Sequence, residues 1–239
     1  MKEQEYELKI QQMETEHRFA LSRISHEIRN PVTLINSSLQ IIEQEHPEVQ
    51  DFAFWKDMKE DLTYLRSLLD ELSSYNNSDT LSLSAIPIQE WLENLIPKIT
   101  LLTDQKQVQF RCSIASDLPV IQADSIKLRQ VLLNLIRNSL EAGCSSLELS
   151  ASMGGKNLNI SVRDDGCGIP IEYLDTLFQP FVTHKAGGTG LGLALSRRIL
   201  NAHGGQLLLS SSNSSGTCFM VLLPTNTAAS KNPKTNPPT

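Results

Sequence analysis

Hydrophobic positions in the first third of the chain follow a helical spacing. Steps of three and four residues separate the apolar positions Leu21, Ile24, Ile28, Val32, Ile35, Leu39 and Ile42. Pro47 interrupts this stripe, since proline breaks a helix interior. A second stripe with heptad spacing follows at Trp55, Met58, Leu62, Leu65, Leu69 and Leu72. The pattern predicts two helices joined by a short connection, which form an antiparallel hairpin over residues 1–75.

A hairpin with an apolar stripe on each arm cannot bury both stripes by itself. Two copies packed as a four-helix bundle can bury them. We therefore predict a homodimer formed through this hairpin. The alternative is that the hairpin packs against the C-terminal part of its own chain.

The pattern changes after a polar, turn-rich stretch, "SSYNNSDT", and residues 76–86 are predicted to be a linker. Beyond it, residues 87–224 mix strand-like segments of period two with helical stretches at 88–104, 124–142 and 190–203. The strand-like segments are "LSLSAIPI", which begins within the linker, and "VQFRCSI", "LELSASM", "NLNISVRD", "GQLLLSS" and "TCFMVLLP". This mixture predicts an α/β sandwich, in which helices cover one face of a single sheet. Residues 225–239 are predicted to be a disordered tail.

Composition narrows the classes of function. The net charge of -6 and the sequence pI near 5.4 indicate no nucleic-acid partner. No apolar run is long enough to span a bilayer, and the N-terminus is not a signal peptide. We therefore predict a cytoplasmic chain, for which any membrane attachment would require a region upstream of this sequence. The four scattered cysteines are predicted to be reduced thiols.

Three segments of the second domain carry chemistry. In "QVLLNLIRNSLEA", Asn134 and Asn138 are four residues apart, so they share a helix face and offer the oxygen ligands that Mg²⁺ prefers. In "VRDDGCGIP", Asp164 precedes a glycine turn and can accept a hydrogen bond from the amine of an adenine. In "THKAGGTGLGLALSRRIL", glycines lead into a helix, a typical phosphate site. Each segment alone also fits a solvated helix face or a simple turn.

Together and in this order, the segments resemble the sensor histidine kinases of two-component systems. "NLIRN" resembles the N box of that family, "DDGCGIP" the G1 box, "LFQPFVTHK" the F box, "GGTGLGL" the G2 box and "GTCFMVLLP" the last strand pair. "SHEIRNP" resembles the H box, in the form found in nitrogen-regulation and sporulation kinases. The resemblance covers about residues 15–224. It implies a dimeric phosphotransfer hairpin followed by the Bergerat ATP-binding fold, which gyrase, Hsp90 and MutL share.

The resemblance implies that His26 is the phosphoacceptor. Its position agrees, because Ile24 and Ile28 belong to the apolar stripe and a residue two positions from each points outward. By resemblance, Glu27 is the general base that takes the imidazole proton. Asn30 occupies the position that helps to orient water when a phosphorylated response regulator is dephosphorylated, and Pro31 would bend the helix.

In the second domain, the resemblance implies a site for ATP and Mg²⁺. Asn138 matches the Mg²⁺ ligand, and Asn134 matches the position that aligns phosphoryl transfer. Asp164 matches the adenine reader, with Thr217 beside it. Positions that would shape the pocket and the phosphate loop are Gly166, Gly168, Gly188, Thr189, Gly190, Leu191 and Gly192.

One departure from the commonest family pattern bears on the phosphates. Glu141 stands where many members carry a basic residue. The positive charge that binds the phosphates would therefore have to come from Lys185 and Arg137. An acidic residue at this position is familiar in the nitrogen-regulation and sporulation kinases. Phe178 and Phe181 are predicted to anchor the segment that covers the nucleotide, although plain core packing explains them almost as well.

The function implied is autophosphorylation of His26 by ATP, followed by phosphotransfer to an aspartate of a response regulator receiver domain, with regulator phosphatase activity in addition. The alternative is a dimeric, nucleotide-binding scaffold or phosphatase without kinase activity, which Asn30 and the intact hairpin also allow. A gyrase- or Hsp90-like ATPase is disfavoured. Those proteins usually carry Glu in place of Asn134, and they lack the hairpin that carries His26.

Overall fold

The computed structural model describes residues 2–185 and 188–225, and the side chains of these residues from Arg23 onward with the exception of His26. The chain divides into two compact units. The first comprises the N-terminal region up to Ser78 together with Thr183–Gly192, and the second comprises Asp79–Val182 and the chain from Leu193 onward. Of the predicted tail, residues 225–239, the structure describes Thr225, whose backbone N–H and hydroxyl donate to the carbonyl oxygen of Lys156. Residues 226–239 lie outside the described residues.

The first unit contains the predicted helical hairpin. Helix α1 spans Lys2–Glu45, a 3-10 helix spans Pro47–Asp51 and helix α2 spans Trp55–Asn76. Two ion pairs between α1 and α2 show that the helices run antiparallel. Arg29 pairs with Asp70 at 3.0 Å, and Lys59 pairs with Glu43 at 2.7 Å. Helix α1 continues through Pro31 without interruption.

Only part of each predicted apolar stripe is buried. Leu39, Val49 and Trp55 form a small core at the closed end of the hairpin, and Leu62 packs against it. Val32 and Leu69 are also buried. Six other members of the stripes are exposed in the single chain, namely Ile24, Ile28, Ile35, Ile42, Met58 and Leu65, whereas Leu72 is half-buried. Exposure of these residues in one chain agrees with stripes that need a second apolar face to cover them, and their burial in a dimer stays a prediction.

The second unit contains a five-stranded mixed sheet of order β2-β4-β5-β7-β6. Its strands are β2 (Gln109–Ile114), β4 (Ser146–Gly154), β5 (Asn157–Asp164), β6 (Gln206–Asn213) and β7 (Gly216–Pro224). Strands β2 and β4 are parallel, and the other neighbours are antiparallel. The inward residues of β4 and β5 are buried, whereas their alternate residues are half-buried or exposed. This alternation confirms a sheet covered on one face.

The helices of the second unit are α3 (Ile88–Glu93), α4 (Ile96–Gln105), α5 (Ser125–Glu141) and α6 (Gly192–Ala202), and a 3-10 helix spans Ile171–Thr176. The predicted helical stretch 88–104 is divided in two, because Pro97 lies in the first turn of α4, where its missing N–H costs little. The apolar side of α5 is buried, as its sequence spacing indicates. No helix in the described part of the chain is long and apolar enough to cross a membrane.

The predicted linker, residues 76–86, requires correction. Ser84–Pro87 form strand β1, which pairs antiparallel with β3 (Val120–Ala123), a strand that the sequence pattern did not reveal. The second unit already begins at Asp79. The period-two alternation of "LSLSAIPI" did indicate β1, whereas β3 has only four residues, and so short an alternation carries little signal on its own.

The segment before β1 is hydrogen-bonded to the residue that precedes α5. Asp124 caps this helix, since Oδ1 accepts the N–H groups of Ile126 and Lys127 at 3.1 Å, and Oδ2 accepts that of Ser82 at 2.9 Å. Burial would raise the pKa of Asp124, but these hydrogen bonds outweigh it and hold the pKa below its usual value. The N–H of Asp124 donates to Nε2 of buried His203 at 2.9 Å. This junction fixes where helix α5 begins.

Candidate functional site

The candidate site of the second unit centres on Asp164, the last residue of β5, which is only 6% exposed. Its Oδ1 accepts hydrogen bonds from the N–H of Gly166 at 3.0 Å and of Thr217 at 3.1 Å. Its Oδ2 accepts the hydroxyl of Ser139 at 2.7 Å. A carboxylate with three donors from three elements is held in one orientation. It provides a fixed, desolvated acceptor for a ligand amine.

The backbone around Asp164 is too close for larger residues. Gly168 has φ +73°, and a Cβ there would lie 2.0 Å from the carbonyl oxygen of Asn213. Gly216 has φ +126°, and its Cβ would lie 1.9 Å from the carbonyl oxygen of Asp164. The turn after β5 and the β6–β7 hairpin therefore pack together through glycine, and this places Thr217 opposite Asp164 in the sheet register.

Asp165, the neighbour of Asp164, has a different role. It is exposed, and its Oδ1 accepts the backbone N–H groups of Ser145 at 2.7 Å and Ser146 at 2.8 Å. The bond from Ser146, with that from Ser145, lowers the pKa of Asp165. Asp165 thus ties the turn after β5 to the connection between α5 and β4. Of the two adjacent carboxylates, only Asp164 is buried within the site.

Helix α5 carries the two predicted carboxamides on one face. Both Asn134 and Asn138 are half-buried, and Nδ2 of Asn134 donates to the hydroxyl of Ser196 on α6 at 2.9 Å. Arg137 lies on the same helix with an exposed side chain. The hydrogen bond between Asn134 and Ser196 therefore joins α5 to α6, the helix that follows the glycine-rich segment.

The two aromatic residues of the F-box-like segment differ. The guanidinium of Arg197, on α6, lies 5.2 Å from the ring centroid of Phe178, within the range of a cation–π contact. Phe181 is 59% exposed and has φ +64°. The contact gives Phe178 a defined anchoring partner. Phe181, which has an exposed ring, does not fit the plain core packing that was its alternative explanation.

The glycine-rich segment Thr183–Gly192 is grouped with the first unit. The hydroxyl of Thr189 donates to a carboxylate oxygen of Glu71 on α2 and accepts the N–H of Leu191 at 3.1 Å. Lys185 is exposed, and its N–H donates to the hydroxyl of Thr183. Gly188 and Gly190 are half-buried, and Gly192 begins α6. The structure therefore places this part of the predicted phosphate loop, together with Lys185, with the hairpin unit.

The H-box residues lie within helix α1. The side chain of His26 is outside the described residues. Glu27 is exposed and pairs with Arg23, one turn earlier, at 2.8 Å, and Asn30 is exposed. An exposed ion pair of this kind contributes little to stability. The Glu27 carboxylate is therefore held weakly, and the roles predicted for His26, Glu27 and Asn30 stay predictions.

Sequence reasoning missed three residues that organise the site: Ser139, Ser196 and Gly216. A sequence signal did exist for the serines. Each lies among apolar residues of an amphipathic helix, and both are at most 2% exposed. A buried hydroxyl needs a hydrogen-bond partner, so a serine on an apolar face indicates a specific contact. Only the tertiary structure identifies the partners as Asp164 and Asn134.

The residues present suit a nucleotide and its metal ion. Asp164 is a buried acceptor beside a glycine turn, as recognition of an adenine amine requires. Among the described residues, no group of three His, Cys, Asp or Glu side chains could hold a metal ion by itself. Mg²⁺ needs no such group when it is bound with a nucleotide, because phosphate oxygens and water complete its shell around one or two protein oxygens.

Comparison with known proteins agrees with the fold and with the nucleotide-binding class of the second unit. Residues 123–227 match the family "Histidine kinase-, DNA gyrase B-, and HSP90-like ATPase". The sensor histidine kinase ZraS of Escherichia coli is 33% identical over 208 residues, which are 85% of this chain and 44% of that protein. Sporulation kinase C of Bacillus subtilis is 29% identical and matches 84% of this chain and 47% of its own length.

Among solved structures, full-length ShkA in complex with AMPPNP aligns with a TM-score of 0.74 and 27% identity, over 87% of this chain and 46% of that one. The fold and the site thus define a nucleotide-binding domain of the histidine kinase, gyrase B and HSP90 class. The chain as a whole is a relative of the sensor histidine kinases, with hairpin and ATPase domain in one alignment. It spans about half the length of the curated relatives that it matches.

Proposed function

We propose that this protein is an ATP-dependent histidine kinase that phosphorylates His26 and then transfers the phosphoryl group to an aspartate of a response regulator receiver domain. The observation that carries the proposal is the buried Asp164 carboxylate, held by Ser139, Gly166 and Thr217 in the same chain as the "SHEIRNP" helix. Kinship with sensor histidine kinases along most of the chain supports it.

The proposed division of labour follows the chemistry of the residues. Asp164 accepts the adenine amine, while Asn134 and Asn138 face the phosphates and Asn138 binds Mg²⁺. Mg²⁺, when bound, neutralises phosphate charge. Lys185, Arg137 and the backbone N–H groups from Gly188 to Gly192 add positive potential around the phosphates. Phosphoryl transfer depends on such positioning and charge neutralisation more than on covalent chemistry.

In the first step, a ring nitrogen of His26 attacks the γ-phosphorus of ATP. The new N–P bond forms as the bond to the β–γ bridging oxygen breaks, and ADP leaves with that oxygen. Glu27 takes the imidazole proton, for which its exposed carboxylate is available next to His26 in the sequence. In the second step, a receiver aspartate takes the phosphoryl group, and Asn30 orients water when the regulator is later dephosphorylated.

We further propose that the active form is a homodimer joined by its hairpins. The support is the row of exposed apolar side chains on α1, namely Ile24, Ile28, Ile35 and Ile42. A helix face of this kind is stable in water when a second apolar face covers it. Two hairpins that share these faces form the four-helix bundle.

Incubation with Mg²⁺ and ATP radiolabelled on the γ-phosphate tests the kinase. We expect the wild type to take up label that survives alkali and is lost in acid, as a phosphoramidate should. His26→Gln should take up none, whereas His46→Gln, at an exposed hairpin position, should label normally. Nucleotide binding without any label would contradict kinase activity and support the nucleotide-binding phosphatase or scaffold.

A further inference from the structure

The side chain of Asn134 has a partner on another helix. Its Nδ2 donates to the hydroxyl of Ser196 at 2.9 Å, across 62 positions of sequence. Ser196 is 1% exposed and lies on α6 beside the buried residues Ala194 and Leu195. A buried hydroxyl on an apolar helix face costs free energy unless it is hydrogen-bonded. The bond to Asn134 therefore stabilises the buried Ser196 hydroxyl.

The contact has a directional consequence for the carboxamide. A carboxamide has a donor end and an acceptor end of nearly equal shape, and the two differ only in their chemistry. When Nδ2 is bound to Ser196, Oδ1 lies on the other side of the group. The oxygen can bind Mg²⁺ or accept a hydrogen bond from its bound water, whereas an NH₂ group can only donate hydrogen bonds. With the hydrogen bond that the structure shows, the oxygen of Asn134 is therefore turned away from Ser196.

We propose that Ser196 is a positioning residue for nucleotide chemistry, which acts by holding the Asn134 carboxamide with its oxygen directed to the Mg²⁺–nucleotide. The inference rests on the proposed function only in assigning the phosphates to the Asn134 face of α5. It adds a residue outside the N-box and G2-box motifs. Because Ser196 lies on α6, it also fastens the helix of the asparagines to the helix that follows the glycine-rich segment.

A matched pair of substitutions isolates the hydroxyl. Ser196→Thr and Ser196→Val have nearly the same shape and the same branching, so any strain from the added methyl group is common to both. They differ in one hydroxyl. We expect Ser196→Thr to keep the hydrogen bond and Ser196→Val to lose it.

The first readout needs no nucleotide. In the ¹⁵N-labelled 239-residue chain, the side-chain NH₂ of Asn134 should exchange slowly with solvent in the wild type and in Ser196→Thr, and should exchange faster in Ser196→Val. Asn134→Ala assigns the signal by its disappearance. Equal exchange in the Thr and Val variants would overturn the proposed contact.

The second readout is the affinity for the ATP analogue AMPPNP, measured by calorimetry with Mg²⁺ and again with EDTA. Ser196→Val should bind about tenfold more weakly than Ser196→Thr with Mg²⁺, the loss expected for one hydrogen bond. The two variants should differ much less in EDTA. A merely structural role would weaken binding equally under both conditions, and this result would overturn the proposal.

A double-mutant cycle shows whether Ser196 acts through Asn134. In an Asn134→Ala background, the Thr and Val variants should bind Mg²⁺–AMPPNP equally. A difference that persists without Asn134 would overturn the proposal. The outcome is separate from the kinase test: absence of label on His26 removes the proposed kinase activity, whereas the affinity cycle still decides whether Ser196 positions Asn134.

Discussion

The hydroxyl of Ser139 donates a 2.7 Å hydrogen bond to Oδ2 of Asp164, and this contact joins helix α5 to the end of strand β5. Both residues are buried. A third residue, Thr217, donates its backbone N–H to the other oxygen of the Asp164 carboxylate. The acceptor at the centre of the site is therefore part of the connection between a helix and the sheet, and its orientation depends on the packing of the domain.

Removal of the Ser139 hydroxyl should affect both stability and binding. Ser139→Ala leaves a buried carboxylate with one donor fewer, and we expect a loss of about 2 kcal/mol in the free energy of unfolding. Nucleotide affinity should fall as well, because Asp164 is less firmly oriented. Urea unfolding and calorimetric titration measure the two effects. Ser150→Ala removes a hydroxyl that bonds to Ser161 instead, and it should leave nucleotide affinity unchanged.

The adjacent carboxylates Asp164 and Asp165 should respond differently to the same change. Asp164→Asn removes a charged acceptor for the adenine amine, and we expect nucleotide affinity to fall by about a hundredfold, as loss of a charge-assisted hydrogen bond can cause. Asp165→Asn weakens its bonds to the Ser145 and Ser146 N–H groups. It should cost about 1 kcal/mol of stability and leave affinity close to that of the wild type. Equal losses of affinity in the two variants would contradict the assignment.

Acid should weaken the second unit through His203. Burial lowers the pKa of His203 below its ordinary 6.5, against the smaller opposing effects of the Ile199 carbonyl and Asp124. Below pH 6.5 the unfolded chain therefore binds more protons at this residue than the folded chain does. Stability contributed by neutral His203 is complete above pH 6.5 and decreases as the pH falls toward the lower, folded-state pKa.

His203→Gln keeps an acceptor for the N–H of Asp124 but cannot titrate. Urea unfolding of the full chain from pH 8 to pH 5 should show a flatter dependence for this variant than for the wild type. The difference should not exceed about 1.4 kcal/mol per pH unit, the slope for one proton. His46→Gln controls for the loss of a histidine. Parallel curves for the wild type and His203→Gln would contradict the effect.

A charge placed on the exposed apolar face of α1 should break the proposed dimer. Ile35 is 48% exposed in the single chain, and Ile35→Glu would bury an unpaired carboxylate in the bundle. Sedimentation analysis should show a dimer for the wild type and a monomer for Ile35→Glu. Ser37→Glu places the same charge on the polar side of the helix and should remain dimeric. A monomeric wild type would remove the basis for the proposed bundle.

Sequence alone determined most elements of the fold and most of the residue types in the site. The hairpin, the five strands of the main sheet and helices α5 and α6 follow from hydrophobic periodicity, because periods of 3.6 and 2 are local properties of the chain. The order of the motifs indicated the class of nucleotide-binding domain, because motifs are also local features of the sequence. Glycine turns and paired asparagines are recognisable from spacing without knowledge of their neighbours.

The tertiary structure decided the contacts between distant positions. Strand β3 is too short to stand out in sequence, and it exists because it pairs with β1, whose alternation the sequence did show. Likewise, Ser139 and Ser196 are ordinary serines until packing places them against Asp164 and Asn134. The partner of a buried polar group is set by which helices and strands meet, and the local pattern of a single segment does not contain that information.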